Sequence, residues 1–167
     1  LRGPGAGAVD PGSVTATIGD ESAPVTVQPP TFQPRSTMLM IDTSGSMGAS
    51  GMATVRTATA EFLKNVPDDV KVGVVSFAST SGVDVAPTTD HAKVSSAVGA
   101  LVSKGETALY AGIQDAVAAL GTEGERSIVL LSDGGDTVAA IEGGKAGEKA
   151  ARKAAADALT KAKVRAE

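Results

Sequence analysis

From Ser36 onward, short apolar runs alternate with segments of helical periodicity, and this alternation admits few solutions other than a mostly parallel sheet with helices on both faces. Residues 37–41 form a continuous apolar run, as expected of a central strand buried on both sides. Met52, Val55, Thr59, Phe62, Leu63 and Val66 then share one helical face, and Pro67 with Asp68 and Asp69 closes that helix. Residues 70–77 read as a second strand and 83–86 as a short third one. The gap between them suits an antiparallel hairpin at the sheet edge better than a crossover. Asp90 is placed to cap a helix reaching about residue 101, Leu109, Ile113, Val117 and Leu120 stripe the next one, and 127–131 read as another buried strand. Residues 147–163 make an Ala-rich helix with basic residues on its outer face. Residues 164–167 look like the opening of a further strand.

The first 35 residues differ in kind, being rich in Gly, Pro, Thr and Val without helical periodicity. Residues 14–18 and 24–27 are β-like runs separated by 19–22, which predicts a small hairpin. A lone hairpin is marginal in water, so it is expected to pack on the main domain or to belong to a preceding β-module. Pro29, Pro30 and Pro34 make 28–34 a stiff, extended connector. The expected organisation is therefore a hairpin and connector over 1–35 and one α/β domain over 36–167.

A chain of 167 residues accommodates one such domain with its core and no second. Aromatics are only 2% and Trp is absent, so that core must be aliphatic. A net charge of −4 and a pI near 5.0 supply no positive field for nucleic acid or acidic lipid, and neither is an expected partner. The absence of Cys excludes disulfides and thiolate metal sites but leaves the compartment open. No stretch is long and apolar enough to span a bilayer, so this segment is not expected to insert directly into a membrane. Leu1-Arg2-Gly3-Pro4-Gly5 is neither a signal peptide nor a start with Met, and the chain reads as a processed piece whose signal or anchor would lie elsewhere.

The chemistry gathers where three elements end. Asp42-Thr43-Ser44-Gly45-Ser46 follows the first buried strand, so its side chains emerge at the carboxyl edge of the sheet, where open α/β folds place ligands. Asp42, Ser44 and Ser46 alternate, which in an extended turn puts three oxygen-bearing side chains on one side. Ser132-Asp133-Gly134-Gly135-Asp136 leaves a second buried strand at the same edge. Thr107, in the loop that opens the striped helix, can reach the same place. Hard oxygen donors without His or Cys select magnesium, manganese or calcium over zinc.

These residues resemble the metal-ion-dependent adhesion site of the von Willebrand factor A family. Its pattern is Asp-x-Ser-x-Ser after the first strand, a Thr from a later loop and an Asp after the fourth strand, matched here by Asp42, Ser44, Ser46, Thr107 and Asp133. The flanking Met40-Ile41, Val72-Gly73-Val74-Val75-Ser76-Phe77 and Leu130-Leu131-Ser132 match as well, and the resemblance covers residues 36–167. It implies a three-layer, Rossmann-like α/β fold and one bound Mg2+, with Mn2+ or Ca2+ as substitutes. It also implies a protein partner whose Asp or Glu carboxylate completes the coordination, and no enzymatic activity. Members of the family usually carry two further strands, so the domain is expected to be incomplete at its carboxyl end. Residues 127–131 would then form an uncovered sheet edge, to be filled by another chain or the amino-terminal hairpin, or else to cause self-association.

Simpler readings compete. Ser and Asp after strands are ordinary helix caps, and Asp42 or Ser46 could serve only the helix that follows. Asp136 reads as a solvated or supporting carboxylate, His91 as a surface residue, and the basic face of 147–163 as solvated. A metal-dependent hydrolase would need a general base or a second metal cluster, and neither is visible. The Ala, Gly and Val-rich chain with its preceding hairpin is similar in architecture to bacterial envelope proteins related to secretion and pilus assembly, which places it outside the cytoplasm, exported or membrane-anchored. The alternative is a cytoplasmic subunit that recruits partners to a ring ATPase.

Overall fold

The computed structural model describes residues 14–26 and 33–166, and the chain divides into two compact units, Leu1–Phe32 and Gln33–Glu167. In the first unit, β1 (Ala16–Ile18) and β2 (Glu21–Ala23) pair antiparallel, with Ile18 opposite Glu21. The turn is thus Gly19-Asp20 alone, two residues shorter than the sequence suggested, and 24–26 lies outside the strand. A two-residue loop needs positive φ, which Gly19 supplies at +62°. Residue 27 of the expected second strand and 28–32 of the connector lie outside the described residues.

The second unit runs β3 (Arg35–Asp42), a 3-10 turn (Gly45–Met47), α1 (Gly48–Asn65), β4 (Lys71–Phe77), β5 (Ser81–Thr88), α2 (His91–Ala100), α3 (Leu109–Leu120), β6 (Glu125–Leu131), α4 (Val138–Ala162) and β7 (Arg165–Ala166). The five strands lie in the order β5-β4-β3-β6-β7. All neighbours are parallel except β4 and β5, which form the antiparallel edge.

Because side chains alternate across a strand, β3 divides the core into two layers. Leu39 and Ile41 pack with Met52 and Val55 of α1 and Val94 and Val98 of α2. Met38 and Met40 face the other way, onto Ala116 and Leu120 of α3 with Phe77 and Ile128. Helices therefore cover both faces of a three-layer domain with an aliphatic and methionine-rich core. No helix among the described residues is long and apolar enough to cross a membrane.

Three expectations are corrected here. Helical residues begin at Val138 rather than 147: Gly144 (φ 56°, ψ −158°) is not helical and divides α4 into a short segment before it and the longer Ala-rich helix after it. The strand read as buried over 127–131 keeps only Ile128 buried, and Leu130 is 38% exposed, because β6 lies next to the edge and not at the centre. The edge expected to be uncovered is instead partly covered by β7, which pairs in parallel with β6, Arg165 opposite Ser127 and Ala166 opposite Ile128.

Candidate metal centre

The register of β3 against its neighbours brings the candidate residues together. Asp42 ends β3 opposite Phe77 of β4, and Ile41 lies opposite Leu131 of β6. The residue just past β6 is Ser132, and its hydroxyl donates to Asp42 Oδ2 at 2.6 Å. The chain leaves β3 through α1 toward β4 on one side, while β6 flanks β3 on the other. Asp42 thus sits at the topological switch point, where parallel sheets open a crevice.

Asp42 is fully buried. Its Oδ1 accepts the Ser44 amide at 2.8 Å, so each carboxylate oxygen is held by a neutral donor. The described ion pairs join Arg35 to Asp69, Lys64 to Glu61 and Lys153 to Asp157, and none reaches Asp42. A buried carboxylate without a counter-ion is costly, and a cation beside it would offset that cost.

The hydroxyls continue from there. Ser46 Oγ donates to Asp133 Oδ1 at 2.9 Å and lies 3.0 Å from Ser44 Oγ. A hydroxyl has one proton. Ser46 gives its proton to Asp133, so Ser44 must be the donor in the Ser44–Ser46 contact. Both protons run toward Asp133, leaving lone pairs free for a cation. Neither serine caps a helix through its side chain: Ser44 stands at the N-cap position of the 3-10 turn without a side-chain cap bond, Met47 stands at that of α1, and the Ser46 hydroxyl bonds Asp133. The capping alternative therefore does not describe Ser44 or Ser46, although Asp42 does hold a local amide.

Thr107 is 5% exposed and sits on a loop strapped to the Asp42 turn. Gly45 N donates to Gly105 O at 2.8 Å, Lys104 N to Thr43 O at 2.7 Å, and Ser103 Oγ to Ser44 O at 2.9 Å. The following Ala108 amide bonds Ala78 O at the end of β4. Direct hydrogen bonds thus join Asp42, Ser44, Ser46 and Asp133, and the backbone brings Thr107 to the same edge.

Sequence reasoning missed Ser132, Ser103 and Thr137 as supports, while Asp136, read as a solvated or supporting carboxylate, accepts the Tyr110 and Ala139 amides. Only the Asp42-facing position of Ser132 had a signal, namely its place one residue past a paired strand. His91 is not free at the surface: its Nε2 lies 2.9 Å from Val70 O. No group of three or more His, Cys, Asp or Glu among the described residues could hold a metal, so a cation here would rely on hydroxyl oxygens as much as on carboxylates. The two carboxylates and the serine and threonine hydroxyls form a hard-oxygen set suited to a small divalent cation.

Among solved structures, the fold is similar to an aerotolerance-related membrane protein from Bacteroides fragilis NCTC 9343, with 22% identity, a TM-score of 0.63 and coverage of 79% of this chain and 65% of that one. It is similar as well to a von Willebrand factor type A protein from Catenulispora acidiphila, with 21% identity, a TM-score of 0.66 and coverage of 81% and 33%. A third likeness is to the vWF domain of a type V pili tip protein from Porphyromonas gingivalis, with 23% identity, a TM-score of 0.55 and coverage of 65% and 40%. The chain spans less than two thirds of each of these structures. No curated protein matches it. The model of the von Willebrand factor type A domain matches residues 37–135, more than half of the chain and including all five candidate positions, and the chain belongs to that family.

Proposed function

We propose that Asp42, Ser44, Ser46, Thr107 and Asp133 form a complete metal-ion-dependent adhesion site. It would hold one Mg2+, with Mn2+ or Ca2+ as substitutes, and bind a protein partner through an Asp or Glu carboxylate that completes the coordination. The observation that carries this reading is the buried Asp42 carboxylate, which joins no described ion pair and accepts the Ser44 amide, beside the Ser44 and Ser46 hydroxyls that run on to Asp133. Two carboxylates and three neutral hydroxyls would leave a divalent ion with net attraction for a further anion, which is the chemistry the metal supplies. Membership of a family whose domains mediate protein interactions supports the same reading.

The domain acts in this reading as a binding module and not as an enzyme, since no group beside the site is identified as a general base. Its place is outside the cytoplasm, in an exported or membrane-anchored bacterial protein. The support is that proteins sharing the fold include a membrane protein and a pilus tip protein.

The decisive experiment measures Mg2+ and Mn2+ binding by calorimetry for the wild-type domain and Asp42→Ala, followed by partner capture in magnesium and in chelator. Binding by the wild type alone, with partner released by chelator, is the expected result. Equal binding by both proteins rejects the site.

A further inference from the structure

We propose that Asp136 is a positioning residue of the metal centre, whose carboxylate caps two helices at once and thereby fixes the Thr107 loop against the loop carrying Asp133. The inference rests on the site reading given above. Asp136 Oδ2 accepts the Tyr110 amide of α3 at 2.9 Å, and its Oδ1 accepts the Ala139 amide of α4 at 2.7 Å. Each is an orphan donor of a first helical turn, and a carboxylate is the acceptor that such positively polarised ends favour. Here one carboxylate serves both ends.

What these two caps hold together is the backbone of Thr107. Its carbonyl accepts from Thr137 N at 2.8 Å and Val138 N at 3.2 Å, and its own amide donates to Thr137 Oγ1 at 2.9 Å. Thr137 passes its hydroxyl proton on to Glu106 Oε2 at 3.0 Å. Both backbone polar groups of Thr107 are therefore satisfied by Thr137 and Val138, four and five residues beyond Asp133. Without that zipper, the Thr107 loop would be anchored on its other side alone, through Ser103, Lys104, Gly105, Glu106 and Ala108. Asp136 touches neither Asp42 nor Asp133 through any described hydrogen bond, so its effect on a cation would pass through Thr107.

The test uses Mn2+ as the probe and compares dissociation constants for wild type, Asp136→Ala, Asp136→Asn, Thr137→Val and Thr107→Ala, together with the double variant Asp136→Ala/Thr107→Ala. Asp136→Ala should weaken Mn2+ binding about tenfold, the lower end of what supports of metal ligands contribute. Asp136→Asn, which keeps one acceptor oxygen, should fall between, and Thr137→Val should weaken binding in the same direction. Thr107→Ala should cost much less in the Asp136→Ala background than in the wild type, because the hydroxyl it removes is already misplaced. A merely structural cap would lower the melting temperature and leave those two Thr107→Ala penalties equal. Equal penalties, or Mn2+ affinities of Asp136→Asn and Thr137→Val within about twofold of wild type, overturn the proposal. Failure of the wild type itself to bind Mn2+ would instead reject the metal site, and the positioning role with it.

Discussion

The Ser46 hydroxyl donates to Asp133 Oδ1 at 2.9 Å across 87 positions of sequence. This bond joins the turn after β3 to the turn after β6, and both oxygens belong to the proposed ligand set. A cation bound there should stabilise the fold by mass action, roughly 1–3 kcal/mol at tens to a hundred times its Kd. Asp133→Ala should abolish that gain with little change to the metal-free fold, because Asp133 is exposed and replaces only one hydroxyl contact. Thermal melts in Mg2+, Mn2+ and chelator check this, and equal metal-induced shifts in both proteins would contradict it.

Asp42→Asn separates charge from hydrogen bonding. The amide oxygen can still accept from Ser44 N, and the amide nitrogen can donate to Ser132 Oγ, whose proton has an alternative acceptor in Gly134 O at 3.0 Å. Removing a buried charge that has no counter-ion should leave the chelated protein within about 1 kcal/mol of wild type, or more stable. Metal stabilisation should disappear. Calorimetric unfolding of the variant in chelator and in Mn2+ gives both numbers, and a large loss of metal-free stability would count against the buried-charge argument.

Gly105→Ala should strain the loop that brings Thr107 to the site. Gly105 has φ +85°, and a Cβ there would lie 2.5 Å from Ser79 Oγ, the acceptor of the Glu106 amide. A cost of about 1–3 kcal/mol is expected, together with weaker Mn2+ binding. Urea unfolding and metal titration on the same preparation test the pair of effects. Normal stability with normal affinity would show that the loop absorbs the change.

The β6 edge should mediate self-association. Among the described residues its pairing with β7 involves Ser127 and Ile128, and Leu130 beyond them is 38% exposed. An apolar strand edge of this kind invites pairing, and a lysine on it opposes pairing. Light scattering across a concentration series should show association that Leu130→Lys suppresses. A wild-type monomer at millimolar concentration would refute the expectation.

Much of this architecture is legible without coordinates. The run over 37–41 is apolar on both faces and becomes the central strand, whose Met38 and Met40 enter one layer and Leu39 and Ile41 the other. The stripe of Met52, Val55 and Thr59 becomes the buried face of α1, and Asp90 caps α2 by accepting from Lys93 N. These succeed because periodicity and capping are local. Asp42, Ser44, Ser46, Thr107 and Asp133 stand out for a related reason: each directly follows a strand or opens a helix, where side chains must emerge at one edge.

Other features depend on which elements become neighbours. The burial of β6 cannot be read from Ile128, Val129, Leu130 and Leu131, since an apolar run looks alike at the centre of a sheet and beside its edge. The helical segment ahead of Gly144 escapes a reading by periodicity, because it is held from outside by Asp136 and the Thr107 carbonyl. The order of residues along the chain determined the alternating elements and the chemistry available at their ends. Only the parallel register of β3 with β6, and the meeting of the α3 and α4 termini on one carboxylate, decided that Ser132 would hold Asp42 and that Thr137 would hold Thr107. Hydrogen bonds extend about 3 Å, so partners far apart in sequence exist only once packing has brought their strands and helix ends together.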